Sequence, residues 1–258
     1  MEQTPIYNAA NFNWCGYAYG SQPPEDINRT VRNTVINAFL CPSDPNSGTA
    51  RLCNYAASYG ATTNRTYNDG NGQAIGASGV FTLWISYGLR DCTDGSSGTI
   101  AFAEALVGKP NVANAYRGNV PTGADTSNPP AANQAYASRN PAAVLAGLQK
   151  CADAMKANSN ISDDKGRFWV HGSSNYTLFN TIQTPNDKQY PYNGCKLDCP
   201  NCGLDLAFSA AATSQHPGGV NAMMADGSVR FVKDTIARDV WWSLGTKDGG
   251  EVVSADSY

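Results

Sequence analysis

Cysteine and histidine are the residues of this sequence whose chemistry and spacing are most informative. The chain has eight cysteines: Cys15, Cys41, Cys53, Cys92, Cys151, Cys195, Cys199 and Cys202. An even number of cysteines scattered over a whole chain favours disulfide bonds formed in an oxidising compartment, with buried free thiols as the alternative. We therefore expect mostly disulfides, including a Cys41–Cys53 bridge and at least one bridge within Cys195–Cys202.

Three neighbouring cysteines also have the spacing of metal ligands. Cys195, Cys199 and Cys202 include a Cys-Pro-Asn-Cys-Gly segment that resembles one zinc knuckle, and His216 follows closely enough to be a fourth ligand. A second knuckle is missing, and the remaining cysteines favour oxidation. Zinc at these four residues is therefore the minor alternative to disulfides.

The other polar motifs indicate turns and not an active site. His171 and His216 are the two histidines, and neither lies in the sequence context of a catalytic base for a nucleophile. The sequence has no Gly-x-Ser-x-Gly, no glycine-rich phosphate loop and no His-Glu-x-x-His. Asp91–Asp94 and Asp226-Gly227 could offer oxygen ligands to calcium, but they lack EF-hand spacing, which favours turns. We therefore expect a protein that is not an enzyme and that needs no cofactor.

The composition excludes several classes of partner. Charged residues make up 15% of the chain, with 18 basic and 21 acidic residues, against roughly 25% in most soluble domains. Without a basic patch we expect no nucleic-acid binding. No apolar run approaches the roughly 18 residues that span a membrane. A surface rich in Asn, Ser and Thr but poor in charge suits an extracellular or cell-envelope protein.

Four Asn-x-Ser/Thr sequons are candidates for glycosylation. They begin at Asn28, Asn64, Asn160 and Asn175. A chain this rich in Asn, Ser and Thr contains about as many sequons by chance, so these candidates are weak.

The clearest predicted element is a helix over residues 141–156. Asn140 is a fitting N-cap and Pro141 a fitting first helical residue. The apolar residues that repeat at helical spacing are Val144, Leu145, Leu148, Cys151, Ala152 and Met155. Because Cys151 belongs to this face, we expect it to point into the core.

The C-terminal part predicts a hairpin and a last helix. Val220–Ala225 and Ser228–Val232 flank Asp226-Gly227, which favours a two-residue turn. Asp234 should cap a helix that Gly245 ends. The apolar residues of that segment are Ile236, Val240, Trp241 and Leu244.

The remaining segments complete the expected architecture. A short helix is predicted near Ile27–Asn33, strands over Val35–Leu40, Val80–Ile85 and Thr99–Ala105, and a loop-rich insertion over 108–140. We therefore predict one α+β domain over 1–258 with long loops and disulfides. Its mostly antiparallel sheet should include the 220–232 hairpin and pack against the 141–156 helix.

The C-terminal region, 214–258, resembles a known family. Nine residues separate His216 from Asp226-Gly227, as in the prepilin-type-processing-associated His-x9-Asp-Gly tail of a pseudopilin-like family of unknown function, abundant in planctomycetes. Further segments resemble the same family: 39–45, 94–100 with Glu104, 166–169, 185–186, 242–246 and 249–253. The resemblance covers essentially the whole chain.

The resemblance implies a pilin-like fold and a structural role. Family members usually begin with a processing site and a long hydrophobic helix, and this sequence lacks that helix. We therefore expect a non-enzymatic, exported subunit of a cell-surface filament or secretion apparatus, with copies of itself or other pilin-like subunits as partners. Membrane contact would occur only through the helix that is absent here. The alternative is an extracellular or periplasmic module that binds a glycan or another small ligand.

The family offers no catalytic residues, so we interpret its tail as a structural motif that also contains Asn221. Gly218 and Gly219 permit a tight turn, and Asp226-Gly227 supports the hairpin turn. His216 could donate to a backbone carbonyl or to a carboxylate and so fix the hairpin to the sheet. Without the covering helix, we expect a contiguous apolar strip near the start of residues 1–40 and weak self-association.

Overall fold

The largest sheet joins strands that lie far apart in the sequence. The computed structural model describes residues 3–13, 27–48, 52–63, 76–82, 85–109, 118–125, 134–251 and 253–254. Within these residues the strands are β1 (Tyr55–Ser58), β2 (Ile100–Glu104), β3 (Val120–Pro121), β4 (Ile161–Ser162), β5 (Leu178–Phe179), β6 (Gly194–Cys195), β7 (Ser209–Ala210), β8 (Gly219–Met224) and β9 (Val229–Lys233). The main sheet has the order β5-β1-β2-β8-β9, and β3-β4 and β6-β7 form two small sheets.

Four α-helices accompany these sheets in the described part of the chain: α1 (Thr4–Ala9), α2 (Arg29–Asn33), α3 (Pro141–Lys156) and α4 (Arg238–Gly245). The pairing of β1 with β5 is parallel and all other strand pairs are antiparallel. The prediction of an α+β fold with mostly antiparallel strands is thus confirmed. None of the described helices has the length and apolar character needed to cross a membrane.

Helix α3 begins where its sequence predicts. The Asn140 side chain accepts a hydrogen bond from the Ala143 N–H (3.3 Å), and Pro141 is the first helical residue. Cys151 is fully buried, as predicted, whereas Leu145 remains 38% exposed and leaves the expected apolar face. The face is narrower than the spacing suggested because neighbouring elements cover one stripe of the helix.

The predicted packing of α3 on the main sheet is wrong. Its buried residues join a second hydrophobic cluster, whose other members include Ile182, Tyr190, Tyr192, Phe208 and Trp242. Gly147 lets the ring of Phe208 approach, since a Cβ there would lie 2.6 Å from Phe208 Cζ. Helical spacing identifies a buried face but not the surface that buries it.

The short helix α4, and not α3, packs against the main sheet. Trp241 and Leu244 belong to the hydrophobic cluster that contains Ile100, Val220 and Val232. Its end at Gly245 confirms the prediction, but its first residue is Arg238 and its N-cap is Ala237. Asp234 is not the cap because the helix begins four residues after it, and its carboxylate instead forms an ion pair with Lys188 (3.1 Å).

The β8–β9 hairpin forms as predicted, with a turn one residue longer than expected. The Met224 N–H donates to the Ser228 carbonyl (2.8 Å) and the Gly227 N–H to the Met224 carbonyl (3.0 Å). Gly227 has a φ of +87°. Ala225-Asp226-Gly227 therefore forms a three-residue turn whose last position is left-handed, a common hairpin geometry that needs glycine at that position.

The shorter predictions had mixed outcomes. Helix α2 and strand β2 confirm the helix near Ile27–Asn33 and the strand over Thr99–Ala105. Val35–Leu40 contains a 3₁₀ turn at Asn37–Phe39 and no strand, because none of the described strands pairs with it. Of the predicted strand Val80–Ile85, the described residues 80–82 and 85 also form no strand. Within 108–140, β3 pairs with β4, so part of that segment is ordered sheet.

Candidate functional site

His216 and Asn221 meet at one buried carboxylate, that of Glu104. Glu104 ends β2 and is 6% exposed. Its Oε2 accepts a hydrogen bond from the Asn221 backbone N–H (2.8 Å), and its Oε1 accepts one from the Asn221 amide (3.0 Å). His216 Nε2 lies 3.2 Å from the same Oε1. The carboxylate thus links β2 to β8 and to the turn that precedes β8.

Polar side chains and two glycines shape the turn that carries His216. The Ser214 hydroxyl accepts from the His216 N–H (3.1 Å) and donates to the Gly219 carbonyl (2.7 Å), which also accepts from the Asn186 amide (3.1 Å). Gly218 has a φ of +88°, and a Cβ on Gly219 would lie 2.0 Å from the Val232 carbonyl oxygen. The turn therefore requires glycine at both positions.

Cys41 lies against the same carboxylate. The ligand atoms of Cys41, Glu104 and His216 all lie within 4.8 Å of one another. Cys41 and Glu104 are buried, whereas the His216 side chain is 31% exposed. The pKa of the neighbouring Tyr55 hydroxyl is raised, chiefly by burial and further by its proximity to Cys41 and Glu104. A thiol, a carboxylate and an imidazole are thus brought together; we call these three residues the Cys-Glu-His cluster.

The predicted Cys41–Cys53 disulfide is wrong, because both residues are free thiols. The Asn54 side chain closes this loop instead: its oxygen accepts from the Cys41 N–H (3.0 Å), and its amide donates to Asp44 (2.8 Å). The Cys53 thiol donates to the Tyr55 carbonyl (3.0 Å). Burial raises the pKa of Cys53 to about 11, which keeps this thiol protonated and unreactive towards disulfide exchange.

Two disulfides are present in the described residues. Cys151–Cys195 joins α3 to β6, and Cys199–Cys202 lies within the predicted segment. These bonds confirm a bridge within Cys195–Cys202 and the inward orientation of Cys151. They contradict the zinc alternative at Cys195, Cys199, Cys202 and His216, since oxidised sulfurs do not ligate metal. Cys92 is a buried free thiol, and Cys15 lies outside the described residues.

The acidic turns considered for calcium have their oxygens engaged by donors. The Asp94 carboxylate accepts from the N–H groups of Gly249 (2.7 Å) and Gly250 (2.9 Å). Asp91 Oδ2 accepts from the Gly88 N–H (2.7 Å), and Asp226 Oδ1 from the Ser228 N–H (2.9 Å) and hydroxyl (2.7 Å). Asp91 and Asp226 thus close local turns, whereas Asp94 joins its loop to the distant residues Gly249 and Gly250.

Two of the four sequons are not accessible for glycosylation. Asn28 is 6% exposed and Asn175 is fully buried. The Asn175 side chain accepts from Lys165 Nζ (3.1 Å) and donates to the Ser209 carbonyl (3.1 Å). A glycan on the Asn175 amide would break these buried contacts. Asn160 is partly exposed, and Asn64 lies outside the described residues.

Sequence reasoning found His216 and Asn221 but missed the two residues they meet. Glu104 is 112 residues away from His216, so no local spacing could connect them. Cys41 was assigned to a disulfide because a second cysteine follows it closely. The available signal was that the segments containing Cys41, Glu104 and His216 all resemble one family.

The fold and the site define a disulfide-bonded α+β protein in which a buried carboxylate joins the C-terminal hairpin to the main sheet, beside a buried thiol and a partly exposed imidazole. The chain belongs to a family whose description is "Protein of unknown function (DUF1559)", and the family model matches residues 1–239. The matched range includes the whole Cys-Glu-His cluster. No curated protein and no solved structure matches the chain.

The role of His216 in stability can be measured directly. We expect His216→Ala to lower the free energy of unfolding by about 1–2 kcal/mol, because a hydrogen bond to a charged group is lost at a partly exposed site. Urea denaturation in the presence of EDTA measures this loss without any contribution from metal. His216→Gln, which keeps an N–H donor, should recover part of it. If His216→Ala unfolded at the same urea concentration as the wild type, the imidazole would not fix the hairpin.

Proposed function

We propose that this protein is a non-enzymatic, exported, pseudopilin-like structural subunit of a cell-surface filament or secretion apparatus. The His-x9-Asp-Gly tail and the other segments that resemble the pseudopilin-like family support this class. The two disulfides and the low content of charged residues support an extracellular or cell-envelope location. Copies of the chain associate through an apolar groove near residues 3–39.

This N-terminal groove is the observation that carries the proposal. It has a volume of about 470 Å³ and is formed by α1, α2 and residues around Phe39 and Trp169. None of the described residues that line it carries a charge. Tyr7 and Phe12 are 67% and 70% exposed, and their ring centroids lie 5.0 Å apart. The groove therefore presents aromatic and aliphatic surface to solvent in the region where the sequence predicts an apolar strip.

Helix α1 needs a further surface to pack against. It has six residues, none of them buried, and isolated helices shorter than about 12–15 residues are marginal in water. Contiguous exposed apolar surface commonly marks an interface. A second copy presents the same uncharged aromatic surface, so mutual burial of two grooves leaves no charge without a partner. We therefore propose another copy of this chain as the occupant.

Sedimentation velocity over a series of protein concentrations tests this assembly. The wild type should sediment faster as its concentration rises, whereas Tyr7→Asp and Phe12→Asp should stay monomeric because each buries a charge in the interface. Leu89→Asp is the matched control, since Leu89 is 64% exposed and lies outside the groove. Circular dichroism should show the same fold for all four proteins. A wild type that stays strictly monomeric at the highest concentration would contradict the proposal.

The second candidate is a module that binds a glycan or another small ligand. The observation that favours it is the presence of Trp169 beside Tyr7 and Phe12 in the groove, since aromatic faces suit sugar rings and apolar ligands. This function predicts a monomer that binds an immobilised glycan. Binding that Phe12→Asp abolishes and Leu89→Asp retains would favour it over the filament subunit.

A further inference from the structure

We propose that the Cys-Glu-His cluster is a binding site for a single Zn²⁺ ion. Cys41, Glu104 and His216 offer one sulfur, one oxygen and one nitrogen ligand from three separate segments. Zinc is a borderline-soft ion that binds these three ligand types in tetrahedral sites. Among the described residues this is the group of His, Cys, Asp and Glu side chains that converges closely enough to hold an ion.

The distances require only a small closure around the ion. Ligand atoms of a tetrahedral zinc site lie about 3.5 Å apart, given bonds of roughly 2.0–2.3 Å. His216 Nε2 and Glu104 Oε1 are already 3.2 Å apart, and all three ligand atoms lie within 4.8 Å of one another. Side-chain rotations that move the ligand atoms by about 1 Å would therefore bring all three to zinc-binding distance.

Contacts outside the ligand set hold each ligand in place. Glu104 Oε2 accepts from the Asn221 N–H (2.8 Å) and Oε1 from the Asn221 amide (3.0 Å), which fixes the carboxylate, and the ion takes the position of the His216 contact at Oε1. The Asn54 side chain fixes the Cys41 backbone by accepting from the Cys41 N–H (3.0 Å). Partners of this kind orient metal ligands and contribute to affinity.

The ligand chemistry favours zinc over calcium and magnesium. Those harder ions prefer six or more oxygen ligands, whereas this site offers sulfur and nitrogen. As the zinc–sulfur bond forms, the Cys41 thiol loses its proton to solvent, and His216 exchanges its hydrogen bond to Glu104 for a bond to the ion. The 31% exposure of the His216 side chain gives the ion and a fourth ligand, water, access to the site.

Zinc titration of the purified full chain, with its disulfides intact and after removal of metal with EDTA, tests the site. Competition with a chromophoric zinc chelator should show one ion per chain for the wild type. Cys41→Ser and Glu104→Gln should each weaken binding by about 100-fold or more, because each removes one of three protein ligands. Cys92→Ser is the matched control, since Cys92 is another buried free thiol and should leave binding unchanged.

Two further measurements separate the site from adventitious binding. Co²⁺ in place of zinc should give a thiolate charge-transfer band in the wild type and in Cys92→Ser but not in Cys41→Ser. Iodoacetamide should modify Cys41 in the metal-free protein and should do so at least tenfold more slowly after zinc is added. The proposal is overturned if the wild type binds no zinc, if Cys41→Ser binds it equally well, or if the purified protein carries a Cys41–Cys53 bridge.

Discussion

Lys165→Met is expected to make the protein more stable at neutral pH and to remove a large part of the dependence of its stability on pH. Lys165 is 1% exposed, and its Nζ contacts two neutral oxygens, the Asn175 side-chain oxygen (3.1 Å) and the Ala211 carbonyl (3.4 Å). Burial lowers the pKa of this lysine from 10.5 to about 7. Below pH 7 the native state therefore carries a buried charge that its surroundings only partly compensate.

The direction of the effect follows from proton binding. Between pH 7 and 10.5 the unfolded chain keeps the Lys165 proton and the native chain releases it, so stability rises with pH by up to about 1.4 kcal/mol per unit. The contribution of Lys165 deprotonation to stability is fully present above pH 10.5 and is lost as the pH falls through 7. Methionine has a similar length and no charge, but it loses the two hydrogen bonds. We expect a gain of about 2–3 kcal/mol at pH 6 that shrinks towards pH 10.

Urea denaturation of Lys165→Met and of the wild type across this pH range measures the difference. The difference between the two proteins isolates Lys165 from other titrating groups. Lys156→Met, at an exposed lysine that ends α3, should change stability by less than about 0.5 kcal/mol at every pH. A gap between Lys165→Met and the wild type that stays constant with pH would refute the role assigned to the buried ammonium.

Removing the Cys151–Cys195 disulfide is expected to lower the free energy of unfolding by about 4 kcal/mol. The bond joins residues separated by 44 positions, and the chain-entropy model gives about this value for a loop of that length. Both sulfurs are fully buried in the second hydrophobic cluster. The Cys151→Ala, Cys195→Ala double variant therefore loses both a constraint on the unfolded chain and a packed contact between α3 and β6.

The second disulfide provides a matched comparison. Cys199 and Cys202 are separated by three positions, and the same model gives about 2 kcal/mol for that short loop. The two double variants should therefore differ in urea midpoint, with the Cys199→Ala, Cys202→Ala protein the more stable. After reduction with dithiothreitol most of the difference should disappear. Equal losses for the two double variants would show that loop length does not determine the contribution of these bonds.

Local signals in the sequence predicted the elements whose determinants are local. Asn140 and Pro141 specify the start of α3 within one turn, and Asp226-Gly227 specifies the position of the hairpin. Leu145 and the surface against which α3 packs were mispredicted because distant residues such as Phe208 decide what a helix buries. The Val35–Leu40 segment has strand-like residues, but no strand in the described part of the chain pairs with its backbone.

The candidate site was harder to predict than the fold because its members converge only in three dimensions. His216 was predicted to bind a carbonyl or a carboxylate, but the sequence could not name Glu104 as the partner. The pairing of Cys41 was mispredicted because proximity in sequence suggests a disulfide, whereas Asn54 closes the same loop with hydrogen bonds. Cys151 and Cys195, by contrast, pair across 44 positions.

The position of β8 in the main sheet constrains the order in which the protein can mature. β8 lies between β2 and β9, and Asn221 reaches Glu104 across 117 residues. While the chain is being synthesised, one edge of β2 stays unpaired until the segment around residue 219 has emerged. Unpaired edges of this kind recruit other strands and promote aggregation. Rapid completion of the chain therefore favours pairing of β2 with its own C-terminal hairpin over pairing with other chains.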